Sequence, residues 1–95
     1  MTAEPSASGA LRVDGAARRA WLLATLAGLA LDFDGAIGDD TPLAEGGLGL
    51  DSLAVIDLVG AIEERMGVRI AEADITHEHF ETAARLLRLL EARLG

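Results

Sequence analysis

The chain has no cysteine, no lysine, very few aromatic residues, and no apolar run long enough to cross a bilayer. Without cysteine there can be no internal disulfide, thiolate metal site or thiol nucleophile. Aromatic residues make up 3% of the sequence and hydrophobic residues 51%, mostly alanine and leucine. That balance favours a small helical domain with an aliphatic core. The longest apolar stretch, residues 20–31, falls short of the roughly 20 residues that a membrane helix requires. The opening "MTAEPSASGALRVDG" contains Glu4 and Pro5 and no continuous apolar segment, so it does not read as a secretory signal. A flexible leader over residues 1–14 and one domain over 15–95 are the expected organisation, in a soluble, cytoplasmic protein. At 95 residues the chain is too small for a roomy enclosed active site, and a multi-step enzyme is not expected.

All eight cationic residues are arginines, and none lies between Ala20 and Glu64. The same window holds Asp32, Asp34, Asp39, Asp40, Glu45, Asp51, Asp57, Glu63 and Glu64. With a formal net charge of -8, such a surface repels a phosphate backbone and suits a protein partner with a basic patch.

Helical spacing first appears over residues 16–31, where Leu22, Leu23, Leu26, Leu29 and Ala30 share a face. The long connection "DFDGAIGDDTPLAEGGLGLD" follows, dense in glycine and aspartate, and its length marks it as functional. A second helix begins at Ser52 or Leu53 and runs to about Met66. Gly67 terminates it, and Val55, Leu58, Val59, Ile62 and Met66 form its buried stripe. Leu53, Asp57, Gly60 and Glu64 lie opposite, flanked by Ile56 and Glu63. Val68 and Ile70 alternate in a short extended linker, followed by one helical turn at residues 72–75. The last helix opens near Thr82 as N-cap and buries Ala83, Leu86, Leu87, Leu90 and Leu94. Three main helices and one short helix make an all-α four-helix bundle, with a long loop between the first two.

Ser52 stands where catalysis is hard to build. No nucleophile elbow surrounds it, and His77 and His79, two positions apart, would diverge on a helix. That pair lacks the further ligands of a zinc site. The cluster of Asp32, Asp34, Asp39 and Asp40 breaks calcium-loop spacing because Ile37 occupies the place of the required glycine. "GLGLDS" has no strand before it and fails as a dinucleotide fingerprint. No catalytic residue and no metal site are therefore assigned. What remains is a serine at a helix start, where free amides and the helix dipole suit an anion. The bland alternative is that Ser52 is only an N-cap.

"LGLDSL", Leu48 to Leu53, resembles the phosphopantetheine attachment motif of acyl carrier proteins, and "AVIDLVGAIEERMGVRI" is similar to the family's second helix and following linker. The resemblance covers the chain from about residue 15 onward. It implies a four-helix bundle whose Ser52, beside the motif acid Asp51, receives 4'-phosphopantetheine from coenzyme A through a phosphopantetheinyl transferase. The arm then carries acyl groups as thioesters between enzymes of fatty acid, polyketide or other specialised biosynthesis. Leu53, Ile56, Asp57, Glu63 and Glu64 match partner-facing positions, so the implied partners are the transferase and acyl-loading and acyl-processing enzymes with basic docking patches. Neither nucleic acid nor a membrane is an expected partner, and a monomer is the default. Ala54 stands where the family often has an acid, which leans away from ordinary fatty acid synthesis. An aminoacyl or peptidyl carrier is the alternative, although Leu50 replaces a glycine usual in that subgroup. A cofactor-free helical adaptor is the remote one.

Overall fold

The computed structural model describes residues 4–30, 33, 35–44 and 46–94 and, over residues 4–8, the backbone alone. Its elements are α1 (Glu4–Val13), α2 (Gly15–Leu29), α3 (Ser52–Met66), a 3-10 turn (Glu72–Asp74) and α4 (Ala83–Leu94). Among the described residues there is no strand, only an isolated antiparallel bridge between Pro42 and Thr82. The chain is an all-α bundle.

The apolar stripes explain the packing. Leu22 and Leu26 of α2, Leu58, Ile62 and Met66 of α3, and Leu86 and Leu90 of α4 are sealed from solvent in one core. Val55, Leu87 and Leu94 are half-buried at its margin, and Leu89, which the periodicity did not single out, is buried. Val68 and Ile70 turn inward as their alternation predicts. Helix α2 ends at Leu29, slightly earlier than the expected stop around Asp32; Leu31, Asp32, Asp34 and Glu45 lie outside the described residues. Gly67 closes α3 at φ 63°, a left-handed conformation that glycine adopts without steric cost. Thr82 accepts the Arg85 amide at 3.2 Å and so caps α4.

Within the stretch expected as a leader, residues 1–14, Glu4–Val13 is helical. No broad apolar stripe holds α1, and Val13 is 84% exposed. Its attachment comes instead from Leu11, which is buried in the core, and from two arginines that satisfy the open carbonyls at helix ends. Arg12 donates to the Met66 and Gly67 carbonyls ending α3. Buried Arg18 of α2 donates to the Leu11 carbonyl at 3.1 Å. Arg18 thus sits near the start of α2, against that helix's dipole, because it serves the end of α1.

The connection before α3 is stitched down rather than looped out. Leu43 donates to the Glu81 carbonyl and Ala84 to the Asp39 carbonyl, each at 3.0 Å, which ties the loop to the start of α4. Within the loop, Leu48 donates to Pro42 at 2.8 Å and Leu50 to Leu43 at 2.9 Å. Leu43, Leu48 and Leu50 are buried, so they fix where the chain enters α3. Gly47 passes so close to the Pro42 carbonyl that any Cβ would collide with it.

Candidate functional site

Ser52 is the first residue of α3, and the cap is its neighbour. Asp51 has extended backbone, and its carboxylate accepts the Ala54 amide at 2.9 Å. The alternative of Ser52 as a mere cap is thereby removed. Its side chain is exposed and, among the described residues, has no hydrogen-bond partner. The amides of Ser52 and Leu53 begin a helix of 15 residues and present the positive end of its dipole beside that hydroxyl.

Beside the hydroxyl opens an apolar cavity of about 290 Å³. Ser52 lines it together with Leu43, Leu50, Val55, Ile56 and Phe80, while Ile75, Thr76 and His77 contribute the segment before α4. That second wall is braced from below. Arg93 of α4 donates to Asp74 through two guanidinium nitrogens, one at 2.8 Å. The hydrogen bond from Arg93 holds the Asp74 carboxyl below the usual carboxylate range, and Asp74 in turn raises Arg93.

The five residues read as partner-facing do not share one environment. Leu53 is 73% and Ile56 63% exposed, an unusual pair of bare aliphatic side chains next to Ser52. Asp57 and Glu64 are exposed on the same helix. Glu63 is half-buried, and its carboxylate accepts the Ile70 amide at 2.8 Å, so it secures the linker behind α3. No motif in the sequence marks Ile75, His77 and Phe80 as site residues; only the folded chain brings them to the cavity that Ser52 lines.

The remaining candidates have local explanations. His79 donates its amide to the Thr76 hydroxyl at 3.2 Å, and the described residues hold no group of three or more His, Cys, Asp or Glu suited to a metal ion. Asp39 pairs with Arg19 at 2.7 Å. Trp21 lies at the core edge under the Arg65 guanidinium, 5.9 Å from the ring centre. Among the described residues, no helix is long and apolar enough to cross a membrane.

Ser52 thus holds an exposed hydroxyl at a helix start beside an apolar cavity. Residues 21–90 match the family model described as the phosphopantetheine attachment site, and the chain belongs to that family of carrier proteins. The family carries covalently attached 4'-phosphopantetheine, its domains are generally non-catalytic, and they work with phosphopantetheinyl transferase and biosynthetic enzymes. The match runs from α2 into α4 and leaves α1 outside. No curated protein and no solved structure matches the chain significantly.

Proposed function

We propose that the protein is an acyl carrier whose Ser52 oxygen bears the phosphopantetheine arm and that it works as a cytoplasmic monomer. The observation carrying this reading is the exposed hydroxyl of Ser52, spared from capping by Asp51. In the transfer, a bond forms between that oxygen and the phosphorus attached to the pantetheine of coenzyme A. The bond to the nucleotide breaks, adenosine 3',5'-bisphosphate leaves, and a base on the transferase takes the serine proton. The chain contributes position: an accessible oxygen, two open amides suited to the phosphodiester, and no acid hydrogen-bonded to the hydroxyl.

Leu53 and Ile56 give the docking enzymes an apolar contact, and Asp57 and Glu64 supply charge for a basic surface. Asp51 and Glu63 support the site by fixing the two ends of the local backbone. The apolar cavity favours an acyl cargo over an aminoacyl one, since an ammonium group would find no counter-charge among Leu43, Leu50, Val55, Ile56 and Phe80.

Incubation with coenzyme A and a broad-specificity transferase tests this directly by intact mass. The expected gain is one phosphopantetheine, absent in Ser52→Ala. An equal gain in the alanine variant would overturn the assignment.

A further inference from the structure

The two histidines of the segment before α4 serve different surfaces. His79 lines a groove along α4 with Glu78, Arg85 and Arg93, and the Asp74 carboxylate feels its charge. His77 lines the cavity at Ser52. Of the residues around that cavity, none but His77 can carry a positive charge, and no carboxylate is among them. His77 is exposed and, among the described residues, its imidazole has no hydrogen-bond or salt-bridge partner.

The acids in its neighbourhood are engaged elsewhere or stand off the cavity. On its own segment, Asp74 is paired with Arg93, and Glu78 lies 3.9 Å from Arg85. Asp51 caps α3, while Asp57 on α3 and Glu81 before α4 are exposed and do not line the cavity. The loop contributes only apolar Leu43, Ala44 and Leu50 to the lining, and α4 contributes nothing. Attaching the arm changes this balance. A phosphodiester stays negatively charged at every pH near neutrality, and on Ser52 that charge starts beside Asp51, a like one. The amides that open α3 offer it partial charges only. Resting on the reading of Ser52 as the attachment point, we propose that protonated His77 is the counter-ion of that phosphodiester and holds the foot of the arm over the cavity. Histidine is the side chain whose charge changes between about pH 5 and 8, so the foot is held in mild acid and released as the pH rises.

The test follows the phosphorus NMR resonance of the modified full chain from about pH 5 to 8, once intact mass has shown the gain at Ser52. A diester does not titrate in this range, so any movement reports a neighbouring group. The expected result is a sigmoidal shift in wild type that is lost in His77→Gln, retained in His79→Gln and reduced at about 1 M salt. Without a mass gain in wild type, Ser52 is not the attachment point and the proposal falls with that reading. With the gain present, a flat resonance, a shift that survives His77→Gln, one lost equally in His79→Gln, or one undiminished by salt overturns the pairing alone and leaves the carrier reading standing.

Discussion

The Arg12 guanidinium on α1 donates to the Met66 carbonyl at the end of α3, across 54 residues of sequence. Charge, hydrogen bonding and helix dipole all act in the same sense there, since the C-terminal end of a helix carries partial negative charge. Arg12→Ala is expected to lower unfolding stability by about 1–3 kcal/mol in urea denaturation while leaving phosphopantetheine transfer intact. An unchanged denaturation midpoint would show that α1 is not fastened by this contact.

Asp51 separates two roles that sequence position alone merges. Loss of the cap in Asp51→Ala should cost about 1 kcal/mol and slow the modification of Ser52, because the first turn of α3 loosens. Asparagine caps as well as aspartate, so Asp51→Asn should restore both stability and rate. If Asp51→Asn modifies as slowly as Asp51→Ala, the carboxylate acts through its charge on the transferase and not through the cap.

The ion pair between Asp74 and Arg93 predicts a pH dependence of definite sign. The folded Asp74 carboxyl titrates below its ordinary value of 3.8, so it binds fewer protons in the folded chain than in the unfolded one. The stabilisation is complete above that ordinary value and disappears as pH falls through the lower, folded value. Asp74→Asn should therefore be less stable than wild type at neutral pH, with the difference vanishing in strong acid. A difference that persists undiminished at the acid end would refute this assignment.

Docking through α3 predicts a salt-sensitive rate. The double variant Asp57→Lys, Glu64→Lys should reduce kcat/KM for the transferase by about tenfold or more at low salt and flatten its dependence on ionic strength. Both side chains are exposed, so circular dichroism should be unaltered. Wild-type kinetics in the double variant would move recognition to Leu53 and Ile56 alone.

Much of the bundle was legible because its signals are local. The start of α3 by Ser52, its end at Gly67 and its stripe from Leu58 to Met66 follow from period and punctuation, and Thr82 announces α4. The helix α1 was not, since its fastening depends on Arg12 and Arg18 meeting distant carbonyls, and no stripe precedes Leu11. The cavity is equally non-local. Leu43 and Leu50 belong to an aperiodic loop, and His77 and Phe80 reach Ser52 only after the 3-10 turn is braced on α4. Glu63 shows the limit of a helical wheel: its position is on the flank, yet a long side chain reaches back to the Ile70 amide. The confusion between Ser52 and Asp51 as cap is a shift of one residue, the usual uncertainty of a helix boundary.

Division of labour between those neighbours has a further implication. Since the aspartate alone anchors the first turn, esterifying the adjacent oxygen leaves every bond of the scaffold in place. Bare and decorated forms should then share one framework, and an enzyme that sorts them must read the appendage itself.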